Sequence, residues 1–229
     1  MLTHERWLGK PYYSLDAYCK NTYGEKLYKI ALNAGLTCPN RDGTLDTRGC
    51  IFCHAGGSGD FAIDMKAVPS VAAQLAEGKK LFRDKKTGNH YIAYFQAYTN
   101  TYGPASYLRK IYEDALSEEA VRGISIATRS DCLGEDILTI LVDMKKKFPD
   151  KFVWIELGLQ TIHERTARFI RRGYDIACFD RAVRMLHGLS VPVIVHVIIG
   201  LPGESEEDVY QTIDYLNHSG IWGVKLQLL

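Results

Sequence analysis

Three of the chain's six cysteines lie in one glycine-rich segment, residues 33–61, which reads NAGLTCPNRDGTLDTRGCIFCHAGGSGDF. Eleven residues separate Cys38 from Cys50, and two residues separate Cys50 from Cys53. Thiolates are ligands for zinc and for iron–sulfur clusters, and a closely spaced pair of thiols is also typical of redox sites. The segment therefore predicts a metal site or a redox site.

Three kinds of site fit this spacing to different degrees. A structural zinc site needs four ligands, and beyond the three cysteines of the segment only His54, next to Cys53, and the distant Cys19 are candidates. A redox pair of Cys50 and Cys53 leaves Cys38 unexplained. An iron–sulfur cluster held by three cysteines leaves one iron open, and an open iron can bind a substrate or a cofactor.

Length and composition set broad limits on the protein. At 229 residues, of which 46% are hydrophobic, the chain is long enough for one large α/β domain. A formal charge of +1 gives no global electrostatic reason to expect nucleic-acid binding, and the sequence indicates no particular oligomeric state. No segment approaches the roughly 20 apolar residues of a membrane span, and the N-terminus lacks the apolar core of a signal peptide. We therefore expect a cytoplasmic protein with no membrane contact and no disulfide framework.

Strand-like and helix-like segments alternate along the chain. The strand-like segments are KLYKIAL (26–32), YIAYFQ (91–96), GISIAT (123–128), FVWIELGL (152–159), VPVIVHVIIG (191–200) and GVKLQLL (223–229). Such alternation predicts parallel strands with right-handed helical crossovers, as in a doubly wound sheet or a (β/α) barrel. No G-x-G-x-x-G motif follows the first strand, which weakens the doubly wound alternative. We predict an α/β fold, a partial (β/α)6 TIM-like barrel over residues 26–229, with residues 1–25 as an N-terminal extension that packs on it.

The predicted fold places the cysteine segment at the functional end of the barrel. Ligands of parallel α/β folds bind beyond the carboxyl ends of the strands, and the segment follows the first strand directly.

Near the other end of the chain, Ser205 and Asp208 are a capping pair for the last helix. Cys19, Cys132 and Cys178 are scattered, and we interpret them as ordinary half-buried thiols.

Six motifs occur in a fixed order along almost the whole chain. They are CPNRDGTLDTRGCIFC, YFQAYTNTYGP, ATRSDCL, ELGLQTIHERT, RRGY and IIGLPGE. With them the chain resembles the radical S-adenosylmethionine (SAM) enzymes. Three residues separate the first two cysteines in most of these enzymes, so the loop resembles instead a bacterial subfamily with C-x11-C-x2-C, related to the radical SAM domain of the Elongator catalytic subunit.

The resemblance implies two cofactors and a reaction type. A [4Fe–4S] cluster on Cys38, Cys50 and Cys53 would bind the amino and carboxylate groups of SAM on its fourth iron. Reductive cleavage of SAM gives a 5′-deoxyadenosyl radical that abstracts hydrogen from a substrate. The related domains imply a tRNA substrate modified at the side chain of a wobble uridine, with an electron donor such as flavodoxin or ferredoxin. The alternative is a zinc- or cluster-containing binding protein without radical chemistry.

The resemblance also implies contacts to SAM. Phe52 is expected near the adenine, or else to pack the loop on the barrel. The glycines with which related enzymes hold the methionine amine are absent from QAYTNT, so Thr99 or backbone carbonyls would take that role. Gln160, at the end of the fourth strand, is expected on the ribose, with an ordinary loop cap as the alternative. Arg172, twelve residues later, is expected on the methionine carboxylate, because a guanidinium can bind a carboxylate in a bidentate manner.

Further cationic residues have more than one interpretation. Arg129 is expected to bind the SAM carboxylate or the substrate. His196 stands where some related enzymes have an aspartate facing the ribose, and a core histidine is the alternative. Six arginines but only two acids occur from Arg165 to Arg184, which indicates an RNA-facing strip or an ordinary solvated helix face.

The last strand signal coincides with the end of the chain. A closed barrel needs about eight strands, and six are present, so we expect a barrel that is open on one side. The resemblance implies further residues after this strand. We therefore expect a chain that lacks a C-terminal extension and exposes an apolar edge strand.

Overall fold

The computed structural model describes residues 7–54, 56–57, 62–63, 68–82, 85 and 88–229 of the chain. Six parallel strands form one curled sheet in chain order, a half-barrel, which confirms the predicted partial (β/α)6 barrel. The strands are β1 (Tyr28–Leu32), β2 (Tyr91–Phe95), β3 (Val121–Thr128), β4 (Phe152–Gln160), β5 (Val193–Ile199) and β6 (Gly223–Leu228). Within the described part of the chain, β1 pairs only with β2 and β6 only with β5, so one side of the barrel is open.

Within the described ranges, seven α-helices accompany the strands. They are α1 (Leu15–Tyr23), α2 (Val71–Lys80), α3 (Ala105–Ser117), α4 (Glu135–Lys147), α5 (Glu164–Phe169), α6 (Ile176–Gly188) and α7 (Glu206–Asn217). The predicted capping pair is confirmed, because Ser205 and Asp208 form a reciprocal capping box at the start of α7. In the described ranges, no helix has the length and apolar character needed to cross a membrane.

The two faces of β4 show how the strands divide the core. Val153, Ile155 and Leu157 are buried against the outer helices in the main hydrophobic core. The alternate residues Trp154 and Glu156 are also buried, and they point to the inside of the barrel. A strand with both faces buried is expected in a parallel sheet, and the single acid in this run is therefore placed inside the barrel.

Helix α1 closes the amino end of the barrel. Its Cys19 is fully buried with Trp154 and Ile194, which lie near the starts of their strands. The ring of Tyr18 meets the rings of Trp154 and Trp222 edge to face, at centroid distances of 6.0 and 4.7 Å. Residues 1–6 of the predicted N-terminal extension lie outside the described residues.

The position of Cys19 rules it out as a fourth zinc ligand. It packs beside the amino ends of the strands, whereas the cysteine loop follows the carboxyl end of β1. Burial raises the pKa of the Cys19 thiol to about 11, which opposes the thiolate form that a metal needs. The four-ligand zinc site that would have used Cys19 is therefore wrong.

Candidate active site

One cavity of about 270 Å³ lies at the carboxyl ends of the strands, inside the half-barrel. Eight of the nine residues expected at the cofactors line it, all but Cys53, namely Cys38, Cys50, Phe52, Thr99, Arg129, Gln160, Arg172 and His196. Residues as far apart in the sequence as Cys38 and His196 thus meet at one place. This is the end of a parallel barrel at which active sites are found.

Asn40 fixes the cysteine loop to the segment that follows α5. Its side chain is buried, and its Nδ2 donates to the carbonyl oxygen of Arg171 at 2.7 Å and to Cys50 Sγ at 3.3 Å. Burial raises the pKa of Cys50, whereas the hydrogen bond from Asn40 and the charge of Arg129 act to lower it. Asn40 was not identified from the sequence, although its place two residues after Cys38 is the signal that would have indicated it.

Arg41 holds the other half of the loop. Its Nη2 donates to the carbonyl oxygens of Cys53 and His54, both at 2.8 Å. Gly49 has φ +72°, and a Cβ at this position would lie 2.9 Å from Arg41 Nε. Glycine is therefore required where the guanidinium crosses the loop.

The donor set fits an iron–sulfur cluster in its chemistry. One loop supplies three thiols, and two cationic side chains, Arg41 and Arg129, lie close enough to interact with them electrostatically. Among the residues that the structure describes, no three His, Cys, Asp or Glu side chains already stand close enough to share a metal ion. Cys38, Cys50 and Cys53 as cluster ligands remain a prediction.

Gln160 is placed by an irregularity at the end of β4. The pairing of β4 with β5 shifts register between Gly158 and Gln160, and Gln160 adopts φ +64°. A Cβ on Gly158 would lie 2.7 Å from Gln160 Nε2, so the amide lies across the glycine. Bulges re-aim side chains next to active sites, and this one turns Gln160 into the cavity wall.

The guanidinium of Arg172 is mostly occupied by the protein itself. The residue is 1% exposed, and its Nη1 donates to the carbonyl oxygens of Leu159 and Thr161 at 3.0 and 2.7 Å. Its Nε donates to the Tyr174 carbonyl oxygen at 2.9 Å, and Nη2 donates to Glu164 at 3.1 Å. One N–H of five is left, so the predicted bidentate contact to a SAM carboxylate is not available in this geometry. Arg172 instead fixes the backbone on both sides of Gln160.

Arg129 and Tyr174 form the adjoining wall. Arg129 donates from Nε and Nη2 to Asp131, at 2.9 and 2.7 Å, so its bidentate edge is also engaged. Its guanidinium and that of Arg172 each lie 5.0 Å from the centroid of the Tyr174 ring. The Tyr174 hydroxyl donates to the carbonyl oxygen of Gly158. The RRGY motif therefore supports this wall of the cavity through its tyrosine as well as its arginine.

Phe52 and Thr99 lie on the cysteine-loop side of the cavity. Phe52 packs against the buried Ile198 and Leu201 and also lines the cavity, so both of its expected positions are compatible with the structure. Thr99 is buried, and its backbone N–H donates to the Thr37 carbonyl oxygen at 3.2 Å. Their contacts to adenine and to the methionine amine remain predictions.

A buried ionic layer lies deeper inside the half-barrel, further from the carboxyl ends of the strands. Each of the six strands contributes one side chain to it, in chain order Lys29, Tyr94, Ser125, Glu156, His196 and Lys225. Glu156 has a fully buried side chain and accepts from Lys29, from Ser125 and from His196 Nε2, the last at 2.7 Å. Lys225 Nζ donates to the Tyr94 hydroxyl at 2.9 Å.

Most of the ionic layer was missed in the sequence, where only His196 was singled out. The signal was the lone Glu156 within the apolar run FVWIELGL, because a buried carboxylate requires cationic partners. Lys29 of β1 and Lys225 of β6 supply that charge.

Replacing Gln160 by alanine should weaken SAM binding about fivefold and leave the cluster absorbance unchanged. The substitution removes one neutral hydrogen bond to SAM, worth about 1 kcal/mol. The cluster should be unaffected, because Gln160 is not one of its thiol ligands. Calorimetric titration of the reconstituted protein with SAM measures the change, with Gln211→Ala on the exposed face of α7 as the control. Unchanged affinity in Gln160→Ala would make Gln160 an ordinary loop cap.

A half-barrel with a three-cysteine loop after its first strand and a cavity at the carboxyl ends defines a radical SAM type of core. The family model described as the radical SAM superfamily matches residues 46–216, and the chain belongs to this family. Enzymes of the family use a [4Fe–4S] cluster and SAM. The chain is thus the radical SAM core of an enzyme.

The chain is similar to bacterial proteins along most of its length. It is 40% identical over 220 residues to YtqA of Bacillus subtilis, covering 96% of this chain and 67% of that protein. It is 39% identical over 207 residues to protein YhcC of Escherichia coli K12, covering 90% and 64%. The chain therefore spans about two thirds of the length of these relatives. A shorter segment of 79 residues, 34% of this chain and 18% of the relative, is 27% identical to the tRNA-2-methylthio-N(6)-dimethylallyladenosine synthase of Baumannia cicadellinicola.

The fold is also found in solved structures. The archaeal Elp3 of Methanocaldococcus infernus superposes with a TM-score of 0.59 at 14% identity, over 89% of this chain and 46% of that chain. This similarity bears on the fold, and it agrees with the half-barrel described above.

Proposed function

We propose that the chain is the cofactor-binding core of a radical SAM enzyme that modifies tRNA, with the side chain of a wobble uridine as its target. The observation that carries the proposal is that eight of the nine expected cofactor residues line one cavity. When bound, the cluster and SAM supply a 5′-deoxyadenosyl radical that takes a hydrogen atom from the substrate. An external protein such as flavodoxin or ferredoxin supplies the electron.

The residues of the chain divide this work among them. The cluster would be held by Cys38, Cys50 and Cys53. Gln160 would bind the ribose, and Phe52 would contact the adenine.

Two features support a large substrate such as tRNA. The half-barrel is open on one side within the described residues, which gives a tRNA loop lateral access to the cavity. The short similarity to a tRNA-modifying synthase points to the same class of substrate. The resemblance to the Elongator radical SAM domain suggests the wobble uridine in particular.

Charge beside the cysteine loop supports the same substrate. Arg168 and Arg171 line a groove that also includes Asp46 and Glu164. Each of these two acids already forms a salt bridge with another arginine, so the groove keeps a positive charge. Phosphate groups are the natural partners of such arginines. Of the six arginines in the predicted RNA-facing strip, Arg172 is buried and does not contribute.

Reversing the charge of Arg168 should weaken tRNA binding and lower its dependence on salt. Loss of one phosphate contact reduces the slope of log K against log salt by about 1. Binding of total tRNA to Arg168→Glu is compared with wild type at several salt concentrations. Arg109→Glu is the control, because this arginine lies on α3 and pairs with Asp143. Equal salt slopes in all three proteins would contradict an RNA contact at this groove.

The wobble-uridine target is tested on natural substrate. Total tRNA from a strain in which the gene is disrupted is incubated with reduced, reconstituted protein and SAM, and its nucleosides are analysed by mass spectrometry. We expect a mass change in a wobble uridine derivative that depends on SAM. Formation of 5′-deoxyadenosine with no change in any tRNA nucleoside would contradict the proposal.

A further inference from the structure

The ionic layer places a histidine–carboxylate pair at the cavity. His196 Nε2 lies 2.7 Å from Glu156 Oε2, and both residues line the cavity. Burial acts to raise the pKa of Glu156, but the hydrogen bond from His196 and the charges of Lys29 and Lys225 hold it well below its usual range. Glu156 is therefore ionised and can only accept, so Nε2 carries the hydrogen of the neutral imidazole.

The second nitrogen of His196 is then a free base. In the described residues, no backbone or side-chain group is hydrogen-bonded to Nδ1, while the residue lines the cavity. Burial lowers the pKa of His196, Glu156 opposes that shift, and the lysines of β1 and β6 reinforce it. The imidazole is accordingly neutral at pH 7, with the lone pair of Nδ1 available.

Packing alone does not account for the ionic layer. Well-packed apolar side chains of similar volume would give the barrel interior equal or higher stability, since buried ion pairs are weak contributors to stability. Buried titratable pairs with shifted pKa values concentrate at functional sites. Four members of the layer, namely Tyr94, Glu156, His196 and Lys225, also line the cavity of the predicted SAM-facing residues, so a substrate in that cavity can reach them.

We propose that His196 is a catalytic base that takes a proton from the substrate, with Glu156 as its positioning residue. An N–H or O–H group next to the reacting carbon loses its proton to Nδ1, the imidazole becomes an imidazolium, and the substrate atom keeps the electron pair. The Glu156 carboxylate fixes the tautomer and stabilises the imidazolium, as the aspartate does in a serine protease triad. The substrate class is thus one with an ionisable N–H or O–H beside the carbon that is attacked. The proposal replaces the predicted ribose contact of His196, and it rests on the proposed function only for the substrate used in the turnover test.

The first test needs no substrate. In the reconstituted protein with 15N-labelled histidine, NMR should show His196 as the Nε2–H tautomer, titrating below the usual pKa of about 6.5. In Glu156→Gln, the preference for this tautomer should be lost. The exposed His187 on α6 is the internal control. A wild-type His196 that carries its hydrogen on Nδ1 would overturn the proposal.

The second test follows turnover on total tRNA from the gene-disrupted strain. His196→Ala should lose about 100-fold or more in nucleoside modification, with partial recovery on adding imidazole. In the His196→Ala variant with imidazole added, the acid limb of the pH profile of nucleoside modification should move to the pKa of the added base. The Kd of this variant for SAM should change by less than about threefold. His187→Ala should behave as wild type.

Three results separate the alternatives. A SAM Kd weakened by about tenfold or more, with modification lost in proportion, would make His196 a ribose contact and overturn the proposal. Loss of modification without rescue by imidazole and without a change in the acid limb would mean a structural role. If wild type makes 5′-deoxyadenosine but alters no tRNA nucleoside, the proposed function fails, and the tautomer measurement still decides the role of His196.

Discussion

Replacing Cys50 by alanine should remove the entire iron–sulfur cluster. The remaining two thiolates of the loop cannot hold it, and the Cys50 thiol is the one that Asn40 and the Arg171 carbonyl fix in place, at 3.3 and 3.4 Å. Cys38→Ala and Cys53→Ala should have the same effect. Iron and sulfide per chain and visible absorbance after anaerobic reconstitution measure the loss.

Controls for this prediction come from the other cysteines. Cys132→Ala and Cys178→Ala should keep the iron content of wild type, because both residues lie outside the loop. Cys19→Ala should also keep its iron, since Cys19 packs at the opposite end of the barrel. Equal loss of iron in Cys19→Ala and Cys50→Ala would contradict the three-ligand site.

Replacing Arg172 by alanine should lower the free energy of unfolding by about 3 kcal/mol or more. The change leaves the carbonyl oxygens of Leu159 and Thr161 without their buried donor. It also removes the guanidinium that lies over the Tyr174 ring. Arg172→Lys should recover little, because an ammonium cannot reach several carbonyls at the positions of a planar guanidinium. Urea unfolding of the wild type and the variants measures the difference.

Arg168→Ala is the matched control for Arg172. It changes an exposed arginine in α5, and we expect an effect within about 0.5 kcal/mol. If Arg172→Ala unfolds like wild type but has lost SAM affinity, the guanidinium binds the SAM carboxylate after all and does not hold the barrel wall.

The order of the strands and the place of the site were predictable from local patterns. Apolar runs of strand length, separated by helical segments, predicted six parallel strands, and the rule that sites lie at the carboxyl ends of strands then placed the segment of Cys38 at that end. The resemblance to radical SAM enzymes added Arg129 and Gln160 to the site. The structure confirms the strands and brings these residues to one cavity. Such apolar runs are a local property, so they can be read from the sequence.

The partners of the buried charges were not predictable in the same way. Glu156 and Lys29 are 127 positions apart and meet because of strand register and barrel curvature, which no short segment encodes. The partners of Arg172 are mainly backbone carbonyls that a bulge after Gly158 presents, and a carbonyl leaves no signal in a sequence. The motif spacing thus indicated that Arg172 belongs to the site without indicating which group it binds.

The central claim is that this chain binds a [4Fe–4S] cluster and cleaves SAM with it. The most direct test is to reconstitute the wild-type protein anaerobically with iron and sulfide, reduce it, add SAM and measure 5′-deoxyadenosine. We expect a brown protein that forms 5′-deoxyadenosine, and a Cys50→Ala variant that forms none. A colourless protein with one bound zinc and no 5′-deoxyadenosine would contradict the account.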